Sequence, residues 1–218
     1  MPEGIIRPYE PNDRQAVRHI CYETGYMGDS PSFYWGDRES FSDMWSGYYT
    51  DKEPESLFVA ELNGQVVGYL LGCVDSKKAA NPVGIGIRYA FLKGGLLNPT
   101  TRPTLLRTVV DAVNDSLRGA SPLTGPFHDA RWPSHLHINF LPEARGKGLG
   151  RKIVEAWLDK LRSLDSPGCH LETLAENTSA IAFFKSVGFE IHGDPQVAPG
   201  LRSKEGERLH GQVLVQSL

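Results

Sequence analysis

The stretch SHLHINFLPEARGKGLGRKIVEAWLDKL, Ser134–Leu161, decides the reading of this chain. Its first part alternates polar and apolar residues, the period of a strand, so His135, His137 and Asn139 share one face and Leu136, Ile138 and Phe140 the other. Its last part carries Ile153, Val154, Trp157, Leu158 and Leu161 at helical spacing, the buried stripe of a helix expected over about 148–164. Between them, Gly146, Gly148 and Gly150 stand at alternate positions among Arg145, Lys147, Arg151 and Lys152. Glycines without Cβ atoms let backbone N–H groups approach a bulky anion. The first N–H groups of the following helix have no partner inside it, and its dipole favours negative charge. A strand, a bare cationic turn and a helix start together suit a diphosphate.

Two other phosphate motifs fail on spacing. A P-loop needs Gly-Lys followed by Ser or Thr after four spacer residues, and no such run occurs. The dinucleotide motif needs its third glycine where this chain has Arg151.

Outward from this stretch the pattern alternates strand and helix. A short strand is expected over 4–9. A helix capped by Asn12 or Asp13 should follow, then an aromatic-rich segment, 25–49, with Phe41, Met44, Trp45 and Tyr48 at helical spacing. Runs 57–62 and 65–74 flank Asn63-Gly64, the commonest two-residue hairpin turn. Residues 75–132 read as a partly helical insertion, with a stripe of Leu105, Leu106, Val109, Val110, Val113 and Leu117 between stretches rich in Gly and Pro. Downstream, 170–175 reads as a strand, and Asn177 can cap a helix ending at Gly188. Two last strands, 189–192 and 207–215, are joined by the loop GDPQVAPGLRSKEG. The fold class is α/β in the α+β sense: a mixed, mostly antiparallel sheet flanked by helices, in one domain over 1–218 with an insertion between the third and fourth strands.

Composition narrows the function classes. A net charge of −3 gives no basic field for nucleic acid, so any anion site is built locally. No apolar run reaches transmembrane length and no leader is evident, so no membrane partner is expected. Cys21, Cys73 and Cys169, odd in number and far apart, suit reduced thiols in a cytoplasmic protein.

Two motifs carry a family resemblance. Arg145-x-x-Gly148-x-Gly150, behind a strand and a Pro142-Glu143 turn, resembles the acetyl-CoA signature of the GNAT (GCN5-related) N-acetyltransferases. Asn177-x-x-Ala180-x-x-Phe183-Phe184-x-x-x-Gly188-Phe189 is similar to the family's Asn-Ala helix ending in Gly-Phe. The HLHIN strand and Leu-Pro-Glu turn also resemble a subgroup, acetyltransferase-like domains found alone in bacteria and at the end of some O-GlcNAcases.

The resemblance implies a GNAT fold, acetyl-CoA as cofactor, and direct transfer of acetyl to a small-molecule or peptide amine, and it leaves room for a homodimer. It places main-chain groups of Asn139, Phe140 and Leu141 beside the pantetheine arm. The turn Arg145, Gly146, Lys147, Gly148, Leu149, Gly150 and Arg151 falls on the pyrophosphate, and Asn177 and Phe184 on the cofactor arm. His135, at the position where related enzymes carry a glutamate base, is the preferred general base, with His137 second and Asn139 beside them. An imidazole base predicts a kcat/KM limb near the unperturbed value of about 6.5. Buried structural donors remain the competing reading of the two histidines. A metal pair is a third, without an obvious third ligand, so no metal is expected. One departure stands out: many relatives carry a tyrosine at the position of Phe184 to protonate the leaving thiolate. Water, Tyr49 or no acid at all would serve here, or the chain binds acetyl-CoA without turnover as a sensor or interaction module.

Overall fold

The computed structural model of the chain describes residues 4–79, 82–92, 94–119 and 127–218. The strands are β1 (Ile5–Pro8), β2 (Leu57–Leu62), β3 (Gln65–Cys73), β4 (Ser134–Phe140), β5 (Gly168–Leu174), β6 (Glu190–Arg202) and β7 (Arg208–Ser217). The helices are α1 (Arg14–Glu23), α2 (Arg38–Lys52), α3 (Pro82–Leu92), α4 (Thr101–Leu117), α5 (Leu149–Ser163) and α6 (Thr178–Ser186). The strands form one sheet in the order β1-β2-β3-β4-β5-β7-β6. Every neighbouring pair is antiparallel except β4 and β5.

Alternation along the strands gives the sheet two apolar faces. One packs on α5 and α6 through Leu136, Ile153, Val154, Trp157, Phe184, Phe189 and their neighbours. The other meets α1 and α2 through Ile20, Phe41, Tyr49, Val59, Tyr69 and Leu71. Trp157 is fully buried at the centre of the first layer, where truncation to alanine costs roughly 3–5 kcal/mol. The hairpin turn falls where its Asn-Gly pair places it. Asn63 and Gly64 sit at φ 55° and 75°, the left-handed pair that matches strand twist.

Four expectations change in detail. Asp13 does not cap α1; its carboxylate accepts from the Glu10 N–H and pairs with Arg7, closing a short 3₁₀ turn, Pro11–Asp13. In α2 the inward face is Phe41, Ser42, Ser46 and Tyr49, while Trp45 stands 37% exposed at its edge. The expected loop between the last strands is largely strand: β6 runs to Arg202, its register shifting between His192 and Gln196 and again between Val197 and Arg202. Bulges absorb the Gly and Pro residues that read as loop signals. Finally, the aliphatic stripe of α4 faces outward; Leu106, Val109, Val110, Val113 and Leu117 are each more than half exposed.

Candidate functional site

The parallel pair is short. β4 meets β5 only at Ser134–Cys169 and His135–His170, and beyond them the strands splay apart. β4 keeps its antiparallel ladder to β3 throughout. The Leu141 N–H donates to the Val67 carbonyl at 2.9 Å, and since ladder bonds alternate along an antiparallel strand, odd-numbered residues of β4 turn their main chain to β3. Main-chain groups of Ile138 and Phe140 therefore face the splay. This corrects the expectation for Asn139, whose main-chain groups pair with β3, and for Leu141, whose N–H is used by β3 and whose carbonyl accepts from the Ala144 N–H. The Phe140 carbonyl is also occupied, accepting from Arg145 Nε at 3.2 Å and Nη2 at 3.1 Å.

The glycine turn stands at the open end of the splay. Gly146 and Gly148 have φ of 71° and 76°, and a Cβ built on either meets nothing within 4 Å. Gly148 is the left-handed residue from which α5 starts. The Lys152 N–H donates to the Gly148 carbonyl, whereas the amides of residues 146–151 find no backbone acceptor among the described residues. The result is an open cradle of successive N–H groups at a helix N-terminus, with Lys147 and Lys152 exposed beside it. The Leu149 side chain is buried in the core, so only its amide can serve a ligand. Phe183 of α6 and Phe140 of β4 lie over the Gly150 Cα.

Two expected cations are turned elsewhere. Arg145 ties the turn to the loop after α1, donating to the Gly28 carbonyl at 2.6 Å, and Arg151 donates to the Ser186 carbonyl at 3.0 Å, at the end of α6. Both are struts more than anion ligands. Asn177 caps α6: its Oδ1 accepts from the Ala180 N–H at 3.2 Å and from Ser179 Oγ at 3.0 Å, and among the described residues its NH₂ has no acceptor, which leaves it for a ligand. Phe184 is 5% exposed and packs edge-on to Phe183 and Phe189.

The polar face of β4 looks toward α1 and α2. His135 is buried, with both ring nitrogens engaged: Nε2 lies 2.7 Å from Tyr49 Oη and Nδ1 2.6 Å from Ser76 Oγ. Burial, with His137 and His170 close by, holds its imidazole well below the ordinary range, so it stays neutral. A neutral ring with one hydroxyl on each nitrogen has no site left for a substrate proton. His137 is different. It is only partly buried, its ring nitrogens have no protein partner among the described residues, and its ring packs edge-on to Tyr49 and Trp45 at centroid distances of 5.6 and 6.2 Å. Burial and the neighbouring His170 lower it to about 4. Asn139 donates through Nδ2 to Tyr69 Oη at 2.8 Å, which leaves Oδ1 as a free acceptor next to His137. Tyr69 and Ser76 were missing from the sequence reading. Their partners lie 70 and 59 residues away along the chain, and only strand register could have linked them.

A second concavity, of about 440 Å³, runs between the α1–α2 loop at Phe33 and Tyr34, the first turns of α4 at Thr104 and Arg107, and the β6–β7 tip at Arg202 and Lys204. Three acids on α1 and the loop that follows it are already committed. Glu23 pairs with Arg38, Asp29 with Lys204 at 3.0 Å, and Asp37 caps α2. No helix among the described residues is long and apolar enough to cross a membrane.

A splayed parallel pair ending on an amide cradle defines the scaffold of an acetyltransferase domain. Residues 119–191 match the model of the acetyltransferase (GNAT) domain. Over 72 residues the chain is 38% identical to the uncharacterized N-acetyltransferase YjgM of Escherichia coli, a match covering 33% of this chain and 42% of that protein. The chain thus spans under half the length of that curated relative. Along nearly its whole length, 99% of this chain and 98% of the other, it superposes on the crystal structure of SsHAT at TM-score 0.67 and 27% identity. YncA of Salmonella typhimurium, solved with its cofactor acetyl-CoA, shares the fold at TM-score 0.58 and 17% identity, covering 99% and 94% of the two chains. Residues 119–191 thus match the GNAT acetyltransferase family, and the chain along its length shares the fold of its acetyltransferase neighbours. The residues present fit that cofactor, because the cradle is open, its amides are unpaired and the splay offers free strand edges.

Proposed function

We propose that this chain transfers an acetyl group from acetyl-CoA to a primary amine of a small molecule or peptide. The observation that carries the reading is the continuity of the unpaired β4 edge with the amide cradle at the start of α5. That continuity suits a ligand with an extended amide-bearing arm and a diphosphate. Acetyl-CoA, when bound, supplies an activated acetyl thioester. The chain's part is to hold the diphosphate on the amides of residues 146–151, with Lys147 and Lys152 adding charge. The main-chain groups of Ile138 and the N–H of Phe140 are offered to the arm, and the Asn177 NH₂ is a further donor.

On the polar face, Asn139 Oδ1 can accept from the incoming amine and orient it. His137, not His135, is the candidate general base, because its nitrogens are free and its ring is neutral throughout the neutral range. A base near 4 grips a proton weakly, so it serves by passing the amine's proton to water, not by storing it. The Tyr49–His135–Ser76 chain fixes the ring against which His137 packs. The groove between Phe33, Arg107 and Lys204 supplies room for the body of the acceptor.

The test is thioester consumption over a panel of amines for the wild type and His137→Ala. Expected are measurable turnover, a 10²- to 10⁴-fold lower kcat/KM in the variant, and unchanged acetyl-CoA affinity. The competing reading, an acetyl-CoA-binding module without turnover, draws on the buried, hydroxyl-free Phe184. Tight acetyl-CoA binding with no consumption for any amine would establish it in place of the transferase.

A further inference from the structure

Helix α4 is built inside out. Its inward residues are mostly polar: Thr101, Asp111 and Asp115 are buried and Thr108 is half-buried, with Leu105 the aliphatic side chain that packs on the core. Asp111 accepts from the Gly200 N–H at 2.9 Å and pairs with Arg202, and Asp115 pairs with Arg208 at 2.5 Å. The helix is thus held on the β6–β7 hairpin by ion pairs and backbone bonds. Its other large aliphatic side chains point the other way. Leu106, Val109, Val110, Val113 and Leu117 are 54%, 62%, 57%, 54% and 81% exposed. A surface helix ordinarily turns its apolar stripe to the core; this one offers it to solvent, and among the described residues no side chain covers it.

We infer that this face is where a second copy of the chain docks, α4 against α4 about a two-fold axis. The stripe carries no charge, so it selects no charged partner. It is also close to self-matching: an antiparallel pairing sets Leu106 opposite Leu117 of the other copy and Val110 opposite its Val113, with Val109 against its Asn114. Self-complementarity of this kind is what a two-fold contact requires. Area agrees. Five such side chains make a patch on the order of 500 Å², at the upper end of what a monomer leaves in water. Two copies together remove on the order of 1,000 Å², the threshold for a specific interface. The first turns of the same helix line the groove at Thr104 and Arg107, so the contact braces one wall of the acceptor site. The inference does not depend on the proposed activity.

The experiment is molar mass by light scattering and sedimentation over a range of concentrations. Wild type should run at twice the single-chain 24.1 kDa. Val110→Lys with Val113→Lys, and Val110→Glu with Val113→Glu, should each run as single chains, since the pairing sets like charges face to face. Mixed one to one, the two variants should return to the doubled mass. Leu106→Ser with Leu117→Ser, which removes apolar surface without adding charge, should also give single chains. All these positions stand in solvent in one copy, so far-UV circular dichroism should match wild type throughout. A wild type of single-chain mass at every concentration, variants that keep the doubled mass, or a mixture that stays apart would each overturn the inference.

Discussion

Replacing Gly148 by alanine separates backbone strain from ligand contact. Gly148 sits at φ 76° and an added Cβ meets nothing within 4 Å, so the free protein feels only the left-handed conformation. That costs about 1–2 kcal/mol for a residue with a side chain, or a melting point lower by roughly 2–8 °C in a chain of this size. The methyl, however, stands in the mouth of the cradle, where a diphosphate must come close to the amides. Acetyl-CoA affinity should fall tenfold or more, a loss of about 1.4 kcal/mol or above. Gly64→Ala is the control. Its φ of 75° and its open surroundings are the same, but it lies in the β2–β3 turn. Calorimetric titration with acetyl-CoA and thermal melts of both variants make the comparison. Equal melting losses with an affinity loss in Gly148→Ala alone are expected. An affinity unchanged in both would remove the glycine turn from the site.

Three further outcomes follow from the same geometry. Asn177→Asp should keep the α6 cap and the wild-type melting point, whereas Asn177→Ala loses about 1 kcal/mol; an affinity drop for acetyl-CoA in the aspartate variant would assign the lost NH₂ to the ligand. Phe184→Tyr should fold with a melting point within a few degrees of wild type. A loss matching the 1–3 kcal/mol of a buried unpaired hydroxyl would place the ring's far edge in the core instead of at the splay. Stability should decline as pH falls from about 6.5 toward 4, because the unfolded chain binds protons that the folded His137, lowered to about 4, refuses, and burial lowers His135 and His170 in the same direction. The His137 share is up to roughly 3 kcal/mol, and melts of His137→Asn across that range should show a shallower slope.

What was legible in the sequence is what is local. The Asn-Gly hairpin, the Asn177 cap, the α5 stripe and the glycine turn each depend on residues within one turn or one strand, where period and φ preference act directly. The alternation of SHLHINF likewise gave the correct faces of β4. What it could not give is which of two histidines on one face keeps a free nitrogen. That depends on Tyr49 and Ser76, brought to His135 across 86 and 59 residues. Arg145 and Arg151 misled because charge near a turn says nothing of where a long side chain finds its carbonyl. The α4 stripe shows a different limit: period reports that a helix has an apolar side, but not whether that side meets its own core.

The splay has a mechanical consequence. Between β4 and β5 the sheet is joined by only two residue pairs, so the half carrying β1–β4 and the half carrying β5–β7 meet along a seam that is firm at one end and open at the other. Helix α5 lies under the first half and reaches the second through Trp157, whose ring stands against Cys169 of β5, and it acts as the backing of a partly opened book. Anything that lays an extended backbone along Ile138 and Phe140 adds hydrogen bonds where the sheet has fewest. A ligand lying there would bridge the two halves of the sheet along the stretch where their own pairing stops.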